Sequence, residues 1–268
     1  MSPTYQGRAL ERERRRPAAA PWAAVAALAG VVLLTGVALR LPWRAWRARF
    51  AVVTRIEVRG NRYLDADHLA EAAGVKTGDD LIALDVRRMR KALEQQPRVA
   101  HAAVSHTWPR GVRLAVEERM PVLVVDHGTL WEMDSSGVLL PPLESGVLAD
   151  VPVLTGPDLS RMPAGARCTT PEVRHALAWV RALGDPQLQM LGQLSEVDLS
   201  GGDVALVLST GTRVLVTDWP PGIARLSALR VVLADLAHRG IAAAEVDLRF
   251  KDQVIVRPAA NPAAAPQS

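Results

Sequence analysis

The chain has 268 residues, 49% of them hydrophobic and 4% aromatic, with a net charge of +4 and a pI near 9.8. At about 100–200 residues per domain this length allows one or two soluble domains, and a lone cysteine, Cys168, excludes an intramolecular disulfide or a cysteine-built metal or iron–sulfur site. The basic balance does not mark a nucleic-acid binder. Residues 1–49 hold nine Arg against two Glu, whereas residues 50–268 hold 23 Lys and Arg against 26 Asp and Glu, so the body carries a net −3 and has no basic footprint for phosphate backbones.

Residues 1–16 form a basic tail. From Pro17 to Leu39 no residue is charged, and Trp22 at one end with Trp43 and Trp46 at the other sit where indole rings favour a membrane interface. With a rise of about 1.5 Å per residue, some 20 helical residues cross a hydrocarbon core about 30 Å thick. The run predicts a transmembrane helix over 17–41. A cleaved signal peptide is the competing reading, but the apolar stretch exceeds the usual length of such segments, and Arg40, Pro42 and Arg44 follow it without an A-x-A site. Five Arg precede the span (Arg8, Arg12, Arg14, Arg15, Arg16) and four follow (Arg40, Arg44, Arg47, Arg49), so charge alone gives only a lean toward a cytoplasmic N-terminus.

Residues 54–59, TRIEVR, alternate apolar and charged side chains as a half-buried strand does, and Gly60-Asn61 ends it. Asp65 caps a short helix, ADHLAEAA, stopped by Gly74, and Asp85 caps a second through Glu94, closed by Pro97. Strands at 98–107 and 111–119 flank Trp108-Pro109-Arg110-Gly111. This β-α-α-β-β order predicts a small α+β unit with two helices on one sheet face, its core drawn from Ile56, Val58, Leu69, Met89, Leu93, Val104, Leu114 and Val116. Beyond Pro121, VLVVDHG and TLWEMD read as a hairpin. Pro141-Pro142 and 151–158 read as irregular connection, and Thr170-Pro171 starts a helix that reaches Gly184. Strands at 194–199, 203–208 and 212–217 lead to a helix over 222–239, striped with Ile223, Leu226, Leu229, Leu233 and Leu236. Two last strands fall at 245–250 and 253–257, and residues 258–268 have the composition of a disordered tail.

The chemistry of an enzyme is hard to find. Lys76-Thr77-Gly78 matches one box of the penicillin-recognising enzymes, but no Ser stands three residues before a Lys, so the triplet reads as a turn. The six His show no H-E-x-x-H and no close pairing. His101 and His106, five apart on one strand, face opposite sides. Ser105 has no nucleophile elbow, Cys168 has no C-x-x-C partner, and neither a P-loop nor G-x-G-x-x-G occurs. We expect no cofactor, no metal, no nucleic acid and no small-molecule substrate; the residues point to a binding protein.

The order of elements then resembles the bacterial cell-division proteins FtsQ/DivIB. The family's POTRA domain opens with I-x-V-x-G-N, present here as Ile56 to Asn61, and closes with V-x-x-A-x-V, W-P and E-R-x-P, present as Val99 to Val104, Trp108-Pro109 and Glu118 to Pro121. In the second half, Asp134-Ser135-Ser136-Gly137 matches a D-x-x-G turn. Val151 to Gly156 matches V-P-x-L-x-G, Arg225-Leu226 opens the long helix, and Val246 to Phe250 matches V-D-L-R-Y/F. The likeness covers about residues 21–257. It implies an α+β chain in which one N-terminal transmembrane helix is followed by a POTRA domain (50–119) and then a mainly antiparallel β domain (120–257) with helices on one face. It further implies a non-enzymatic scaffold of the divisome, with its N-terminus cytoplasmic and its body outside the inner membrane at the septum. FtsB and FtsL are the partners implied, with FtsB adding a strand at the C-terminal edge, and other division proteins would meet the POTRA domain. Strand addition suits an open sheet edge. The site residues implied are Val246, Asp247, Leu248, Arg249, Phe250, Lys251 and Arg225. Val246 and Leu248 share a face suited to the core, while Phe250 and Arg249 belong to the residue types enriched in interface hot spots. Lys251-Asp252-Gln253 departs from a smaller, glycine-containing turn, and Arg257 stands where an aromatic can occur. Two other classes remain to be separated, a POTRA-bearing transport or secretion component and a membrane-anchored cell-wall enzyme. The first normally needs a barrel or tandem modules, which this length does not hold.

Overall fold

The computed structural model of the protein describes residues 21–40, 51–143, 145–251 and 253–259. The chain divides into two units, residues 1–51 and 52–268. In the first, helix α1 runs Pro21–Arg40, and its described side chains (Trp22 and 25–37) are exposed apart from a half-buried Gly30. Among the described residues no helix is long and apolar enough to cross a membrane. The basic tail, residues 17–20, Trp43, Trp46 and the tail beyond 259 lie outside the described residues.

The second unit has two cores. In the first, β1 (Arg55–Arg59) runs parallel to β3 (Gly111–Glu118), which pairs antiparallel with β2 (Val99–Thr107), giving the order β1-β3-β2. Helices α2 (Ala66–Ala73) and α3 (Val86–Glu94) form where the caps were expected. Asp65 accepts the N–H groups of Asp67 and His68, Gly74 ends α2 at φ +70°, and Asp85 accepts those of Arg87 and Arg88. Both helices cover one sheet face. Leu69, Ala73, Met89 and Leu93 meet Val112, Leu114 and Val116 with nothing exposed beyond 6%, and Ile56, Val58 and Val104 pack half-buried at the margin. Val53, Val75 and Val99 join this core as well, although they sit outside the alternation that marked the others.

The second core lies under a nine-stranded sheet ordered β12-β11-β10-β9-β8-β7-β4-β5-β6. Its strands are β4 (Pro121–Asp126), β5 (Leu130–Asp134), β6 (Leu139–Leu140), β7 (Val153–Thr155), β8 (Leu194–Asp198), β9 (Val204–Leu208), β10 (Arg213–Val216), β11 (Ala243–Asp247) and β12 (Ile255–Pro258). Helices α4 (Pro171–Leu183) and α5 (Ile223–His238) feed the same core, with Trp179 fully buried and its indole N–H donating to the Thr217 carbonyl at 3.0 Å.

Four expectations change. The stretch 151–158 is not irregular connection: Val153–Thr155 is a parallel strand between β4 and β8 that joins the halves of the sheet, a pairing made by partners too distant in sequence to leave a local pattern. The stripe on α5 is narrower than expected, with Leu226 and Leu229 buried, Leu233 half-buried and Ile223 39% exposed. The strand expected at 245–250 ends at Asp247. Pro258, expected to open the tail, closes β12 instead, and the Ala259 N–H donates to the Ala242 carbonyl.

The two cores meet through a buried ion pair. Arg98, next to β2, places Nη2 2.6 Å from Glu132 Oε2 on β5, the two side chains being 6% and 2% exposed. Arg98 Nε and Nη2 also donate to the Pro141 carbonyl, and Glu132 Oε1 accepts the Ala149 N–H at 2.7 Å.

Candidate functional site

The C-terminal strands build the candidate site. β11 runs parallel to β10, with Val246 opposite Val214, and on its other side pairs antiparallel with β12, with Val246 opposite Val256. The strand carrying Val246 and Asp247 is therefore covered on both sides, and the sheet edge expected there is β12 instead. The reason is local. The Asp247 carboxylate accepts the Arg249 N–H at 2.9 Å, an Asx-type turn that bends the chain out of β11, and the strand returns only at Ile255.

Each residue implied at the site has a defined place. Val246 is fully buried and Leu248 nearly so, and both belong to the core. Leu248 leaves its N–H to the Leu215 carbonyl and its own carbonyl to Arg225 Nη2 at 3.0 Å, so α5 is tied to the segment following β11. Arg249 reaches Asp247 Oδ2 at 2.8 Å and Asp203 Oδ2 at 2.9 Å. The hydrogen-bonded guanidinium holds the Asp247 carboxyl below its ordinary range despite some burial, and Arg249 is raised in return. Phe250 is 49% exposed, and Lys251 is exposed with no ion pair among the described residues.

The two edges of the large sheet differ. Beside β6, Leu139 donates its N–H to the Ala166 carbonyl, Gly165 returns one to Leu139, and Val138 bridges Arg167, so that edge is covered. On the outer side of β12 no strand pairs among the described residues. Ile255 there is 46% exposed and Arg257 is exposed, paired with Glu245 at 3.2 Å. The β-branched run Val254-Ile255-Val256 is the sequence signal that marks Ile255 as a site residue, whereas the V-D-L-R-Y/F motif lies on and just after β11.

Among the described residues no group of His, Cys, Asp and Glu could hold a metal ion. The Lys76 triplet is a turn, with Gly78 at φ +103° donating its N–H to the Val53 carbonyl. Cys168 is buried.

Residues 52–119 match the model of the POTRA domain, FtsQ-type, which agrees with the β-α-α-β-β unit and its helix-covered face. Over longer stretches the chain is similar to curated cell division proteins. It is 33% identical over 244 residues to cell division protein FtsQ of Rhodothermus marinus, covering 86% of this chain and 87% of that protein. It is 30% identical to FtsQ of Streptomyces collinus (83% and 87%) and 27% identical to FtsQ of Geotalea daltonii (78% and 76%). The fold is thus that of a POTRA-bearing α+β protein. The chain belongs to the FtsQ family of cell division proteins.

Proposed function

We propose that this protein is a non-enzymatic divisome scaffold, anchored by one membrane span at 17–41, whose extracytoplasmic body recruits the FtsB–FtsL complex to the septum through β12. The observation that carries this reading is the asymmetry of the large sheet, with one edge covered by 165–168 and the other left with unpaired backbone and an exposed Ile255. An incoming strand would gain main-chain hydrogen bonds along β12, and alternate side chains would select the partner. Phe250 and Lys251 flank that edge as contacts, whereas Val246, Leu248, Asp247 and Arg225 hold the segment in place through the core, the Asx turn and the Leu248 carbonyl. Arg249 belongs with the holding residues, because Asp247 and Asp203 already occupy its guanidinium.

The test is a paired measurement on purified protein. Phe250→Ala combined with Ile255→Glu removes an anchor and puts a charge on the edge, and should weaken FtsB–FtsL binding by about 2 kcal/mol or more while leaving the thermal melt within a few degrees of wild type. Retained binding would move the docking edge elsewhere. The span is tested separately: a reporter fused after Ser268 should be active only outside the cytoplasm.

A further inference from the structure

The end of the POTRA unit at which the body begins carries two of the most exposed apolar side chains of the body, Trp108 and Ile82. Val53 donates its N–H to the Asp79 carbonyl, Val52 bridges Asp80, and Thr54 donates both N–H and Oγ1 to the Arg110 carbonyl. The first residues of the body are therefore stitched to the 79–82 loop and to the 108–110 turn. Each of these carries an exposed apolar residue: Ile82 is 61% and Trp108 91% exposed, the latter at the tip of the hairpin joining β2 and β3. Helix α3 starts at the same end, because it lies along β2 and leads at its C-terminus into that strand's far end, and its first turn exposes Arg87 and Arg88. Arg55 is exposed at the start of β1.

The carboxylates nearby, Asp79, Asp80 and Asp85, keep their charge while accepting backbone N–H groups, and Arg55, Lys76, Arg87, Arg88 and Arg110 outnumber them at this end. Asp79 accepts the Lys76 N–H, Asp80 that of Ile82, and Asp85 those of Arg87 and Arg88. Arg87 and Arg88 have no ion pair among the described residues. An exposed indole and an aliphatic side chain beside unpaired Arg is the composition that settles at a lipid headgroup layer.

We infer that this end of the POTRA unit rests on the membrane, Trp108 and Ile82 entering the headgroup region and Arg55, Arg87 and Arg88 facing anionic phospholipid. The inference builds on the proposed membrane anchor, under which the ten residues 42–51 keep Val52 within about 40 Å of the bilayer. Such seating restricts the tilt of the body, so β12 is presented at a fixed height.

The body, residues 52–268, is a unit containing both cores and is tested by itself. An environment-sensitive fluorophore on Ala83→Cys, exposed beside Ile82, reports on the tip; the same dye on Ser135→Cys is the control, and Cys168 is too buried to label. Titration with phosphatidylglycerol-containing vesicles should shift the Ala83 probe to the blue and leave the Ser135 probe unchanged, and vesicles of phosphatidylcholine alone should give a weaker shift. Trp108→Ala, and Arg87→Glu with Arg88→Glu, should each lower the vesicle affinity at least about fivefold with unchanged melting. A tip probe that stays in water at millimolar lipid overturns the inference, as does one shielded only when a protein partner is added. Carbonate extraction of the full chain tests the anchor independently: an extracted chain would sink the anchor, while the response of the body still decides the seating of the tip.

Discussion

Single residues in this protein carry backbone as well as side-chain duties. Glu118 ends the inward-facing row of β3, and its carboxylate takes the N–H groups of Arg62, Tyr63 and Leu64 at 2.8–3.3 Å, closing the turn after β1. Gly60 opens that turn at φ +84°, and a Cβ there would collide with the Val116 carbonyl oxygen, a backbone atom that cannot rotate away. Gly60→Ala should therefore cost at least about 1–3 kcal/mol from the backbone conformation alone, read as a lower denaturation midpoint; an unchanged midpoint would contradict the turn. Asp134 plays a similar part beyond β5. Burial raises its pKa, but the N–H groups of Val138 and Ser136, the Ser136 hydroxyl and Arg119 at 2.8 Å outweigh that and hold it below the ordinary carboxylate value. A carboxyl depressed in the folded state contributes stability above its unfolded pKa of about 3.9 and loses it as the pH falls through the folded value. The melting temperature should fall from about pH 4 downward, and Asp134→Asn should start lower and fall less steeply. Equal slopes would mean that other carboxylates set the acid limit.

At the scale of elements, the question is what each strand contributes besides its own pairing. β7 is three residues long, yet it supplies the parallel contacts to β4 and β8 that make one sheet of two halves. β12 does the reverse: its side chains are exposed or half-buried, so it adds little to the core and presents an edge. Deleting residues 254–268 should lower the melting temperature modestly through exposure of β11, keep the signature of both cores, and abolish FtsB–FtsL binding. Binding that survives the deletion would show that the helix α5 face, not the strand, carries the contact.

For the molecule as a whole, a buried ion pair is one of the ties between the two cores. Arg98 and Glu132 are buried together and hydrogen-bonded to each other, so removing one leaves the other charged in a poorly solvated place. Glu132→Ala should cost about 3–5 kcal/mol and split a single unfolding transition into two, the 52–119 unit melting apart from the β sheet. A single transition with an unchanged midpoint would show that the pair does not link them. The expected consequence of the link is mechanical, since a POTRA end resting on lipid can orient β12 only if the body between them is stiff.

The sequence by itself determined whatever depends on near neighbours. Asp65, Asp85 and Gly74 set the ends of α2 and α3 because caps act within a turn, and the alternation in β1 and β3 chose the buried face because strand side chains repeat every two residues. The order of family motifs was legible in the same way, residue by residue. The tertiary structure decided what depends on distant partners: β7 as a joining strand, the Arg98–Glu132 pair, and β12 rather than β11 at the edge. No local pattern encodes which of two β-rich segments lies outermost, because an edge is defined by the strand that is missing beside it.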